Sequence, residues 1–242
     1  MMKITFKQIQ ASLPAEKNKA DSIYTQFVLR PVSVPVSWLL LRLGLRANMV
    51  SYLSALICVI AGVLLNMNPM SWAVMGAVLF NIFAVLDCAD GNMARATGTS
   101  GPYGGWADAV GGYVAYMSVL LAAGYAAAGH SASVFGWSPA GEVWVFLGGL
   151  GAGGNILMRL VYQSYKNIAP EGGQAAGKSI SREKIISENL GITGLLMPAV
   201  LVGLLTGLLG YVVLFYSAMY TMGCVFSLLK LIRKVEYASR TK

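Results

Sequence analysis

Three aspartates stand close together in a chain with little charge: Asp87, Asp90 and Asp108, in the stretch LDCADGNMARATGTSGPYGGWADAVGG that ends at Gly112. Asp87 and Asp90 are spaced i, i+3, so on a helix they share one face. Gly91 and Ala94 continue that face, and Asp108 opens the next apolar segment, where it can meet the pair across the bend. A carboxylate at a bilayer centre costs roughly 2.5–3.5 kcal/mol on insertion scales, and less near the interface. An alternative use of the three acids is a buried ion-pair network around Arg95, but one cation cannot satisfy three carboxylates. Hard divalent cations suit them better, since Mg²⁺ takes oxygen ligands and is usually shared with substrate phosphates. Gly91, Ala94 and Gly104 leave room for a ligand against the backbone, or for close helix packing. At Gly91 ligand access is the preferred reading.

The surrounding sequence must position these groups. Of the 242 residues 56% are hydrophobic and 12% charged, against about 25% charged in a soluble domain. No charge falls between Arg46 and Asp87, Asp108 and Glu142, Glu142 and Arg159, or Glu188 and Lys230. Such runs read as membrane helices. The expected fold is an all-α, polytopic integral membrane protein with six transmembrane helices, near 48–67, 70–88, 107–128, 143–162, 191–205 and 211–229. All 18 lysines and arginines then fall before span one, between spans two and three, at or after the end of span four, or after span six. The positive-inside rule puts both termini and the aspartate-rich stretch in the cytoplasm. The net charge of +8 reads as topology and attraction to anionic lipid, with no nucleic-acid partner.

Three segments are expected: a cytoplasmic juxtamembrane part (1–46), the membrane domain (47–232) and a basic tail (233–242). Met2, Phe6, Ile9 and Leu13 repeat at helical spacing beside Lys3 and Lys7, which suits an N-terminal amphipathic interfacial helix. No apolar core follows these lysines, so the start does not read as a signal peptide. Residues 28–46 form a second amphipathic stretch, made irregular at first by Pro31 and Pro35. Cys58, Cys88 and Cys224 suggest no disulfide framework, and the lone His130 gives no basis for a histidine-centred mechanism.

The aspartate stretch resembles the CDP-alcohol phosphotransferase (CDP-alcohol phosphatidyltransferase) signature D-x2-D-G-x2-A-R-x8-G-x3-D-x3-D. Asp87, Asp90, Gly91, Ala94, Arg95, Gly104 and Asp108 match it in type and spacing. Six spans with cytoplasmic termini and the run RPVSVPVSWLLLRLGLRANMVSYLS also look like the family, Asn48 lying where it often has Pro-Asn. The resemblance implies that an acceptor hydroxyl attacks the β-phosphorus of a CDP-alcohol and CMP leaves. Asp87, Asp90 and Asp108 would hold Mg²⁺ or Mn²⁺, with two ions expected, and would carry the catalysis. Gly91, Ala94, Arg95 and Gly104 would line the CMP pocket. The setting would be phospholipid or glycolipid biosynthesis. CDP-diacylglycerol is the preferred donor, on family membership alone.

The departure is Gly112, where the family has a fourth aspartate, usually assigned as metal ligand and acceptor base. A general base contributes roughly 10²–10⁴-fold, so its loss slows a reaction without abolishing it. Tyr113, Tyr116, a metal-bound hydroxide or an already ionised acceptor could take the role. Alternatively, Gly112 makes room for a bulkier acceptor, or the chain only binds CDP-alcohols. An acceptor carrying phosphate would want cations: Arg159 near Asn155, then Lys166, Lys178, Arg182, Lys184, Lys230 and Arg233. Arg159 is the candidate site residue among them. The expected assembly is a homodimer, with GGLGAGG (positions 148–154) at a close dimer contact or widening the cavity. An ion-coupled transporter is the competing class, but it should show acids in several spans or internal repeats.

Overall fold

The computed structural model describes residues 4–168 and 188–240, which form helices without a strand among them. In chain order these are α1 (Phe6–Ala11), α2 (Ala15–Ala20), a π turn (Thr25–Leu29) leading into α3 (Arg30–Arg42), α4 (Ala47–Leu65), α5 (Met70–Ala96), α6 (Pro102–Gly129) and α7 (Gly141–Ile168). A second π turn (Ile192–Leu196) leads into α8 (Met197–Thr206), and α9 (Leu209–Arg240) closes the bundle. The 5 helices α4, α5, α6, α7 and α9 are long and apolar enough to cross a membrane, while Ile192–Thr206 is apolar but shorter. The fifth expected span is short for local reasons. Gly194 breaks the helical backbone at its start, and Gly207 ends it in the left-handed conformation at φ 73°, which glycine adopts without steric cost.

The long helices outrun the apolar windows that announce them. Hydropathy marks where a helix can meet lipid, whereas backbone hydrogen bonding propagates through polar residues once a helix has formed. So α5 continues to Ala96 and carries all of DCADGNMAR, and α6 starts at Pro102, a position that suits proline because its missing N–H would be unpaired anyway. Pro31 and Pro35 do not make 28–46 irregular as expected. Pro31 sits in the first turn of α3, and the helix runs on through Pro35. Near the N-terminus, α1 is capped by Thr5 and Gln8, and its Ile9 is buried because α1 packs on α3 and α5. Phe6 stays exposed; Met2 and Lys3 lie outside the described residues.

Small residues let the backbones approach. A Cβ on Gly76 of α5 would meet the Leu65 amide and the Ala61 carbonyl of α4. A Cβ on Gly124 of α6 would lie 2.6 Å from the Trp144 carbonyl and 3.1 Å from the Gly148 Cα of α7. Gly151 and Gly154 likewise seat α7 on Ser217 and Tyr220 of α9. In GGLGAGG these three glycines therefore serve helix packing within the chain, while Gly149 and Gly153 face open space. Gly124→Val is expected to cost about 1–3 kcal/mol, the usual price of overpacking, read as a lower unfolding temperature in detergent.

Candidate active site

Asp87, Asp90, Gly91, Ala94, Arg95, Gly104 and Asp108 all border one cavity of about 600 Å³ at the junction of α5 and α6. Asn48 and Ser51 of α4, Lys17 of α2, Asp21, Thr25, Arg30, Glu188 and Thr193 complete much of its wall. The helical pitch explains the first group. Asp87, Asp90, Gly91 and Ala94 lie on one stripe of α5, and Asp108 lies near the start of α6, where the bend returns the chain.

Asp90 is 3% exposed and accepts a hydrogen bond from the Ser51 hydroxyl at 2.5 Å. Asp87, Asp90 and Asp108 feel one another electrostatically, and each also feels Lys17. None of them is ion-paired: among the described residues the one salt bridge is Arg30 Nη2 to Asp21 at 2.7 Å. Arg95 does not gather the acids around itself. It donates from Nη2 to Asn92 Oδ1 at 2.7 Å, and its buried Nε has no partner. Asn92 also accepts from Arg30 at 3.2 Å and donates to Ser33 of α3 at 3.0 Å. This network, tied to α3, holds the Arg95 guanidinium at the cavity wall.

Among the described residues, no three Asp, Glu, His or Cys side chains converge closely enough to hold a metal ion by themselves. The donors nevertheless fit a hard cation. They are carboxylates without ion pairs on one polar cavity, and Mg²⁺ commonly takes one or two carboxylates and completes its shell with phosphate oxygens and water. The arrangement suits an ion shared with a phosphorylated substrate better than a dedicated protein cage.

The glycines differ in use. Gly91 borders the cavity, and a Cβ there would meet Arg95 Nη1 at 3.2 Å, so this glycine also leaves room for the guanidinium. A Cβ on Gly104 would find Asn48 Oδ1 at 3.7 Å, an ordinary contact, and one on Gly112 would find nothing within 4 Å. Gly112 does not border the cavity, and neither do Tyr113 and Tyr116. Tyr116 is 3% exposed, and its hydroxyl accepts from the Ile192 amide at 3.1 Å. Arg159 lies off the cavity, bonded to Asn155 Oδ1 at 2.9 Å with its guanidinium 4.6 Å from the Tyr116 ring centre. Lys166 sits over the Tyr162 ring. Lys178, Arg182 and Lys184 lie outside the described residues.

Four cavity residues carried no sequence signal: Ser51, a hydroxyl inside an apolar run; Lys17, one of several N-terminal lysines; and the isolated acids Asp21 and Glu188. Lys17 lies outside the spanning helices. Its side chain is exposed, but partial desolvation at the cavity wall lowers its pKa below that of an ordinary lysine, with Arg95 and Arg30 adding to the effect.

Five helices long and apolar enough to cross a membrane, with a polar cavity walled by carboxylates and cations, fit an integral membrane protein. The sequence profile of the CDP-alcohol phosphatidyltransferase family matches residues 45–229, and the chain belongs to that family. Membership implies a CDP-alcohol phosphotransferase activity in general terms: a phospho-alcohol group moves from a CDP-alcohol to an acceptor. No curated protein matches the chain.

Proposed function

We propose that this protein is a metal-dependent transferase that moves a phospho-alcohol group from a CDP-alcohol to an acceptor hydroxyl and releases CMP. The carrying observation is that Asp87, Asp90 and Asp108 border one cavity with Gly91, Ala94, Arg95 and Gly104. Six spans, counting Ile192–Thr206, would leave both termini and this cavity on the cytoplasmic side, as the basic residues favour. Asp87, Asp90 and Asp108 would hold one or two Mg²⁺ or Mn²⁺ ions, which supply charge stabilisation to the diphosphate when bound. Arg95, positioned through Asn92, would contact the nucleotide half.

The acceptor oxygen forms a bond to the β-phosphorus, the bond between that phosphorus and the bridging oxygen breaks, and CMP leaves with the electron pair. The acceptor proton needs a receiver, and Gly112 offers none. Two carboxylates outside the motif border the cavity, Asp21 and Glu188. Asp21 is bound by Arg30 at 2.7 Å, whereas Glu188 has no ion pair among the described residues. We assign Glu188 to receive the proton. Arg159, off the cavity wall, would act on an anionic acceptor only as it approaches.

A CDP-diacylglycerol donor would place the protein in phospholipid synthesis, and a soluble CDP-alcohol in head-group or glycolipid transfer. Mass spectrometry of lipids and glycolipids from cells expressing the protein with candidate CDP-alcohols tests the reading. A new phosphodiester carrying the donor alcohol is expected. Substrate flux into vesicles without CMP formation would instead indicate a transporter.

A further inference from the structure

We propose that Lys17, carried by α2 ahead of the residues the family profile covers, contacts a substrate phosphate in the aspartate-walled cavity. This rests on the CDP-alcohol reading above and adds a residue that the motif does not contain.

Three cations border the cavity: Lys17, Arg30 and Arg95. Arg30 is committed to Asp21 through Nε at 2.8 Å and Nη2 at 2.7 Å. Arg95 is bonded to Asn92. Lys17 has neither a hydrogen bond nor an ion pair among the described residues, so all three of its N–H donors are free for a ligand. Electrostatically Lys17 feels Asp21 and Asp108, and Asp87 and Asp90 feel it in turn. An ammonium on the wall of the cavity that Asp87, Asp90 and Asp108 also line, paired to none of them, suits an anion bound between them, with divalent cations on the aspartate side.

The helix that carries Lys17 buries no residue of its own, so the side chain does not hold the fold. The segment after it is nonetheless pinned. Gln26 Nε2 donates to the Asp21 carbonyl at 2.8 Å. The hydroxyls of Ser22 and Thr25 donate to the Thr193 carbonyl at 3.1 and 2.7 Å, and the Ile23 amide donates to Asn189 Oδ1 at 2.8 Å. Pinning residues 21–26 to the turn before α8 anchors the end of α2 close to the cavity, which limits the ordering cost of binding at Lys17. Lys19 provides the comparison. It lies on the same six-residue helix but does not border the cavity, so general attraction of the N-terminus to anionic lipid would involve both lysines alike.

The phosphate could belong to the donor diphosphate or to a phosphorylated acceptor. The full-length protein in detergent is titrated with CDP plus Mg²⁺, and separately with inorganic phosphate. Lys17→Gln is expected to weaken one of these affinities about ten-fold, the lower range for a hydrogen bond to a charged group. Lys17→Arg should restore most of the loss, and Lys19→Gln should match wild type. A loss confined to CDP identifies the donor diphosphate as the ligand; a loss confined to inorganic phosphate identifies an acceptor phosphate. Wild-type affinity for both probes in Lys17→Gln, or an equal loss in Lys19→Gln, overturns the proposal while leaving the CDP-alcohol reading intact. A wild-type protein that binds neither probe overturns both.

Discussion

Asp90→Asn is expected to lower CMP release from a CDP-alcohol by at least about a thousand-fold. Charge stabilisation around a reacting diphosphate is worth several kcal/mol, and each 1.36 kcal/mol is a factor of ten in rate. The substitution is nearly isosteric, and the Ser51 hydroxyl that now donates to Asp90 can donate to the amide oxygen that replaces it. The fold should therefore survive. Removing a carboxylate that is 3% exposed and has no ion pair among the described residues should even raise the unfolding temperature when divalent cations are absent. A variant that is both inactive and more heat-resistant marks a charge kept for chemistry. Retained activity would mean that Asp90 does not serve the reaction.

Glu188→Gln is expected to slow turnover by roughly 10²–10⁴-fold, the range for losing a general base, with the KM for the CDP-alcohol little changed. The informative variant adds a second change. Gly112 itself does not border the cavity, but a Cβ there meets nothing within 4 Å, and position 112 follows the cavity residue Asp108 by one helical turn on the same face of α6. Gly112→Asp should therefore fit, and in the Glu188→Gln background it should return part of the lost rate. Comparison of kcat for the two single variants and the double variant checks this. Full activity in Glu188→Gln would remove Glu188 from the reaction.

The residues legible in the sequence were those that follow a local period. Asp87, Asp90, Gly91, Ala94 and Arg95 needed only helical spacing to share a wall, and Gly104 and Asp108 needed only the bend that follows. Lys17, Ser51 and Glu188 reach the same cavity through tertiary packing. The Ser22 to Thr193 hydrogen bond, which helps place Lys17, spans 171 positions, and no local pattern reports such a contact. Hydropathy stops short of the helix ends because it tracks lipid contact, while α5 and α9 continue as polar helices beyond it. The glycines of positions 148–154 pointed to close approach, and packing against Leu120, Gly124, Ser217 and Tyr220 shows where. Arg159 lies over the Tyr116 ring and bonds Asn155, and Asp108 still feels its charge.

The most direct test of the transferase reading is CMP release by the purified protein supplied with CDP-diacylglycerol or soluble CDP-alcohols and candidate hydroxyl acceptors. CMP should form with Mg²⁺ or Mn²⁺, cease when the metal is chelated, and be lost in Asp90→Asn. CMP formation that persists through chelation and in Asp90→Asn, or no CMP from any donor while CDP-alcohol still binds, would contradict it.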